Sequence, residues 1–205
     1  MTRSIRFGLE KGAIYPAAEA AALLSWRRRL VQQPGAIARR LALRPGNTVL
    51  ELGCGPGYFS PAIARRLRRG HLVLFDIQAE MLRLARARSR VAPASLSAVR
   101  GDALQLPFAA ASFDVVILVA VIGETGDPAA CLRETHRVLR PGGRLSISEV
   151  RGDDDFIPRE ALRETAAAAG FERERGFGRS WSYTENFLAR ESAPVGGTHS
   201  VDRSA

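Results

Sequence analysis

The chain has 205 residues, 46% apolar and 25% charged, the balance of one folded domain with a sizeable core. No run approaches the ~18–20 apolar residues of a membrane span, and the basic start MTRSIRFGLEKG has no apolar stretch behind it, so no secretory leader is expected. The net charge of +9 would suit a polyanion partner, yet only Lys11 among the 30 basic residues is lysine, and the arginines fall in short runs (Arg27–Arg29, Arg39–Arg40, Arg65–Arg69) in an alanine-rich chain.

That pattern is what a GC-rich coding sequence produces, and it argues against a dedicated nucleic-acid tract. Cys54 and Cys131 form no disulfide framework and neither lies in a CxxC. A reduced, cytoplasmic protein is expected.

In chain order, residues 17–33 place Leu23, Trp26 and Leu30 on one helical stripe beside Arg27–Arg29. Residues 1–44 are expected to form an N-terminal helical segment that covers a ligand site as a lid. The alternative is a peripheral membrane contact through Trp26 and the arginines. Short β-branched or apolar segments follow at 47–53, 71–77, 95–101, 113–120 and 143–150 and read as strands. Between them, residues 58–69, 78–90 and 127–140 carry apolar residues at helical spacing, with Asp127–Pro128 as a helix start and Pro141–Gly142–Gly143 as a stop and turn.

Strands alternating with helices imply a parallel sheet covered on both faces. After a helix at 158–169, the segments 171–177 and 182–190 are joined by a short turn containing Gly178, too short for a parallel crossover. The expectation is therefore an α/β, Rossmann-like, doubly wound sheet of seven strands, six parallel and the last reversed. Residues 45–190 make one domain, and 191–205, without apolar periodicity, read as a disordered tail.

The loop ELGCGPGYFS (51–60) puts Gly53, Gly55 and Gly57 directly after the first strand. A dinucleotide fingerprint needs its third glycine where Tyr58 stands, and a Walker loop needs a GKS or GKT that is absent. GxGxG preceded by Glu51 suits a neutral or cationic group instead, because a carboxylate repels pyrophosphate and can hold an ammonium. Asp76 ends the next strand, where a carboxylate can accept both ribose hydroxyls of an adenosine. Asp102 ends the strand after that, placed for an adenine amino group. Three acids at three successive strand ends lie at the edge where open α/β sheets bind ligands.

The segments VLELGCGPGYFS, FDIQAEML, GDALQLPFAAASFDVVIL and RVLRPGGRLSISE resemble the successive motifs of class I S-adenosylmethionine-dependent methyltransferases, most closely the quinone-biosynthesis C-methyltransferases and their small-molecule relatives. The resemblance spans residues 45–190 and implies S-adenosylmethionine as cofactor. It implies that Gly53, Gly55 and Gly57 line the methionine part, with Glu51 beneath. It also implies that Asp76 binds the ribose, Ile77 packs on the adenine, Asp102 and Ala103 contact its edge, and Val119 faces the sulfonium side. Where relatives carry a His-Glu pair after the fourth strand, this chain has Gly123 and Glu124, so Glu124 is the candidate catalytic base, with Glu149 the other nearby carboxylate. The implied activity is methyl transfer to a small organic or lipid-like acceptor. The alternatives are a phospholipid N-methyltransferase at a membrane surface and a non-catalytic binding module.

Other groups read more plainly. His136 is a helix-packing or surface residue, His71 opens a strand and His199 lies in the tail, so no catalytic histidine is nominated. Cys54 is a small filler of the glycine loop, and Asp153–Asp155 a solvated loop. Tyr15, Trp26, Tyr58, Trp181 and Tyr183 are the aromatics able to wall a pocket. No metal site is expected. The segment after the fourth strand, VAVIGET, lacks the (Asn/Asp)-Pro-Pro-Tyr of amino methylation of bases and the cysteine of cytosine C5 methylation, and two cysteines are too few for arsenic methylation.

Overall fold

Alternation along the first strand decides which layer each residue joins. Val49 and Glu51 turn to one face of the sheet, Leu50 and Leu52 to the other, and all four are buried. In the computed structural model, residues 13–24, 32–90, 94–151 and 155–190 are described. Seven strands run β1 (Thr48–Leu52), β2 (His71–Asp76), β3 (Ser95–Arg100), β4 (Phe113–Val119), β5 (Leu139–Val150), β6 (Phe171–Arg179) and β7 (Ser182–Ala189). They form one sheet in the order β3-β2-β1-β4-β5-β7-β6. β1 to β5 are parallel neighbours, and β7 is antiparallel to both β5 and β6. This is the doubly wound sheet with its last strand reversed.

One face packs Val49, Leu72, Leu74, Val115 and Ile117 against α2 (Pro34–Arg40), α3 (Ser60–Ala64) and α4 (Ala79–Ser89). The other packs Leu50, Phe75, Val116, Leu118 and Ile147 against α5 (Pro128–Val138) and α6 (Arg159–Ala168). Each such fully buried Leu, Ile or Phe contributes about 1.5–3 kcal/mol. α5 starts as its sequence dictates: Pro128 sits in its first turn, and the Asp127 side chain accepts from the Ala130 N–H at 2.9 Å.

Four local features differ from the sequence-based expectation. The helix after the glycine loop covers only Ser60–Ala64, because the chain must tighten into turns to reach Gly70, which has the Asn47 carbonyl against it. Pro141–Gly142–Gly143 is a bulge within β5, where pairing with β4 jumps from Phe113–Leu139 to Val115–Arg144. The β6–β7 turn is Ser180–Trp181, while Gly178 lies inside β6 with φ +79°. At the N-terminus, a 3-10 turn (Ala17–Glu19) leads into the short α1 (Ala20–Leu23). Trp26, Arg27–Arg29 and Leu30 of the expected stripe lie outside the described residues, as do Asp153, Asp154 and 191–205.

α2 is anchored in the core: its Ile37 and Ala38, and Leu41 just after it, are buried with Val49, Val115 and Ile117. Among the described residues, no helix is long and apolar enough to cross a membrane.

Candidate active site

The strand order reverses between β1 and β4, so the helices leaving these two strands go to opposite faces and open a crevice at their carboxyl ends. The glycine loop occupies that crevice. Gly53, Gly55 and Gly57 all have positive φ, at 69°, 52° and 80°, a conformation that costs side-chain-bearing residues energy. Two of them are also close approaches. A Cβ on Gly57 would lie 2.6 Å from the Ala85 Cα, and one on Gly53 would lie 2.5 Å from Val121. The loop is pinned by the Phe75 carbonyl, which accepts from the Gly53 and Cys54 N–H groups at 2.8 and 3.0 Å.

Two acids hold this loop from below and beside. Glu51 is 3% exposed, and its Oε2 has no hydrogen-bond partner among the described residues. Burial pushes its carboxyl up to about 8, with Ser60 opposing and the Asp76 charge adding to the rise. Such a group can accept a cation, because an ammonium beside it would restore its charge. Asp76 ends β2 and is buried. Its Oδ2 accepts from the Gly55 N–H and its Oδ1 from the Gln78 N–H, each at 2.9 Å. Burial raises its pKa and these backbone donors oppose the rise. Each oxygen keeps a second lone pair that a hydroxyl can use.

Asp102 follows β3, its Oδ1 accepting from the Leu104 N–H at 3.0 Å in a tight local turn. Ile77 is half-buried beside Asp76, and its carbonyl accepts from Arg100 Nε at 2.9 Å. Ala103 is partly buried against the core. Glu51, Asp76 and Asp102 thus stand at the ends of three adjacent strands. Val119 packs into the core cluster of the α2–α4 face.

Glu124 lies in the 3-10 turn Gly123–Thr125 after β4, and the Tyr15 N–H approaches its Oε2 at 3.4 Å. Glu149 is buried on β5, opposite Tyr183 of β7. Tyr183 itself donates to the Ile157 carbonyl at 2.6 Å. Burial pushes Cys54 well above the usual thiol range, which keeps it protonated and inert. His136 packs edge-on against Phe171. Among the described residues no group of three or more His, Cys, Asp or Glu is placed to hold a metal ion.

Three features were missed in the sequence. Gln78 ties the N-terminal segment to this edge: its Oε1 accepts from the Ala17 N–H at 2.9 Å and its Nε2 donates to the Tyr15 carbonyl at 2.7 Å. Leu23 of α1 comes within 3.9 Å of the place a Cβ would take on Gly55. Ala120, the first residue after β4, has φ +54°, a strained alanine at the crevice. Only the spacing of Gln78 from Asp76 could have suggested the first of these.

Residues 50–147 match the family described as "Methyltransferase domain". A ubiquinone/menaquinone biosynthesis C-methyltransferase, UbiE, from a Ruegeria species is 37% identical over 111 residues, 53% of this chain and 44% of that protein. The chain spans less than half the length of the curated relatives it matches. A SAM-dependent methyltransferase structure from Aquifex aeolicus superposes with TM-score 0.78 at 17% identity, covering 85% of this chain and 99% of that one. The [4+2]-cyclase SpnF superposes with TM-score 0.65 at 25% identity, covering 75% and 61%. Residues 50–147 are thus similar to a methyltransferase domain, and most of the chain shares its fold with a SAM-dependent methyltransferase structure.

Proposed function

We propose that this protein transfers a methyl group from S-adenosylmethionine to a small organic acceptor. The observation that carries this is Glu51: a sealed carboxyl with an unpartnered oxygen, directly under a loop of three positive-φ glycines. That arrangement suits a ligand with an ammonium group. Glu51 would hold the amino group of the methionine part, Asp76 the ribose hydroxyls, and Asp102 with Ala103 the adenine edge, with Ile77 on its face. Val119 and Ala120 border the reacting end. When bound, the cofactor supplies an electrophilic methyl group on sulfur. The protein's own work is then alignment and exclusion of water, and alignment alone can contribute roughly 7–11 kcal/mol. For a carbon acceptor that must lose a proton, Glu124 is the carboxylate we assign as base.

The kinship with a quinone-biosynthesis C-methyltransferase favours a hydroquinone-like ring as acceptor, whereas the likeness to a cyclase is a reminder that the fold alone does not set the chemistry. Calorimetry and mass spectrometry test the assignment together. S-adenosylhomocysteine is expected to bind while NAD and ATP give no heat. A panel of hydroquinones incubated with S-adenosylmethionine is expected to gain one methyl mass. Tight NAD binding without S-adenosylhomocysteine binding would refute it.

Residues 13–24 are proposed as the cover of this site. Support comes from the two hydrogen bonds to Gln78 and from Leu23 over Gly55. Gln78→Ala removes both bonds without touching the core. It is expected to lower turnover about tenfold while changing Tm little, since a cover acts by shutting out water. Hydrogen exchange should slow in residues 13–24 when S-adenosylhomocysteine is added to the wild type. Unchanged turnover and exchange would remove the cover from the mechanism.

A further inference from the structure

A cavity of about 420 Å³ opens between the end of α2 and the β5–β7–β6 end of the sheet, within the size range of small-molecule sites. Strand register fixes its distance from the glycine loop. Arg144, on its wall, pairs with Val115, which pairs with Val49. Gly53 lies beyond Val49 by ~13 Å of strand. Asn186, which also lines the cavity, is on β7, three strands from β1, or ~14 Å across the sheet. Asn186 is level with Glu51 through Ser146 and Ile117, and Arg144 lies only two strands across, so each wall residue is ~16 Å from Gly53.

Its lining is cationic. Arg39 and Arg40 come from α2, Arg144 from β5 and Arg175 from β6, while the one acid, Glu174, is paired with Arg144 at 2.6 Å. Arg39 and Arg40 have no carboxylate partner among the described residues, and Arg175 adds its charge to the side of Glu174 already paired with Arg144. Arg40 and Arg175 both sit over the Phe177 ring, at 5.6 and 5.1 Å. Burial, and then the neighbouring Arg39 charge, lower the Arg40 pKa, the mark of positive charge held without a counter-ion.

Asn186 is 3% exposed. Its amide nitrogen donates to the Arg40 carbonyl at 2.7 Å, and its Oδ1 has no partner among the described residues. A buried polar atom left so is costly, and it calls for a ligand that brings donors as well as negative charge.

We propose that this cavity is a second binding site, for a small phosphorylated organic molecule bearing hydroxyl donors. Arginines match phosphate oxygens, and their convergence on one open pocket of about 420 Å³, rather than along a stripe, favours a small molecule over a nucleic-acid strand.

Glycerol 3-phosphate is the probe, titrated into the full chain by calorimetry at constant ionic strength. Binding is expected in wild type and should weaken at least tenfold, about 1.4 kcal/mol, in the double variant Arg39→Ala/Arg175→Ala and in Asn186→Leu. Arg39 and Arg175 are exposed, so the double variant keeps its fold. S-adenosylhomocysteine affinity should stay unchanged in it, which separates this site from the methyl-transfer assignment. Sedimentation with phosphatidic acid vesicles, competed by glycerol 3-phosphate, would place the same phosphate group on a lipid. No binding up to about 10 mM, or binding undiminished in the double variant, would overturn the site. So would a single-stranded oligonucleotide that glycerol 3-phosphate cannot displace.

Discussion

Asp76→Ala is expected to weaken S-adenosylhomocysteine binding between about tenfold and a hundredfold, or ~1.4–2.7 kcal/mol. Two losses combine. The ribose hydroxyls lose a charged acceptor, and the Gly55 and Gln78 N–H groups lose the carboxylate that now fixes them at 2.9 Å. The second loss loosens the glycine loop itself and unseats Gln78, the residue that holds the N-terminal segment. Glu80→Ala is the matched control, because Glu80 is exposed on α4 and, among the described residues, pairs only with Arg83 along its own helix. Its effect on affinity should be nil. Calorimetry on both variants checks this, and equal effects would mean that the ribose does not sit at the end of β2.

Glu51→Gln should trade affinity for stability, with opposite pH dependences. The folded-state carboxyl is raised from 4.5 to about 8. A raised carboxyl leaves the fold's stability whole below the ordinary pKa, and stability drains away as pH climbs through the shifted value. The variant escapes this, so its Tm advantage over wild type should open between pH 5 and 8 and reach about 5 °C. Binding runs the other way. An ammonium needs the ionised carboxylate, so wild-type affinity for S-adenosylhomocysteine should rise as pH approaches 8, with a proton released on binding. The variant should bind about ten- to a hundredfold more weakly at pH 8, with little slope. Calorimetry in two buffers of different ionisation enthalpy reads the proton directly. A wild-type affinity flat from pH 6 to 8 would show that Glu51 faces no cation.

Much of the sheet was legible because its strands are buried on both faces. Val49–Leu52, Leu72–Phe75 and Val115–Val119 read as short apolar runs, which parallel strands must be. The reversed last strand followed from a linker too short to cross the sheet. Glu51 and Asp76 were legible because each stands at the end of such a run, and Asp102 because it follows the next strand at the same edge.

What stayed hidden depends on contacts between distant segments. Nothing in an alanine announces the positive φ of Ala120. Gln78 reads as an ordinary residue before a helix until Tyr15 and Ala17 arrive to bond it. The arginine cavity draws on α2, β5 and β6, which only folding brings together. The same cause explains α2, which lies upstream of the first strand and yet is anchored in the core by Ile37 and Ala38.

The placement of β7 between β5 and β6 also constrains the order in which the molecule can be assembled during synthesis. β5 gains its outer neighbour only when residues 182–189 emerge, so until then a strand of twelve residues has one bare edge. β6 is made first and cannot fill it alone, since its own partner is β7. The two-residue turn lets β6 and β7 close on each other within microseconds, and the finished hairpin then docks as a unit. A nascent chain stalled before residue 182 should therefore be the aggregation-prone species. Ser146 and Ser148 on that waiting edge make it less adhesive than Leu or Val would.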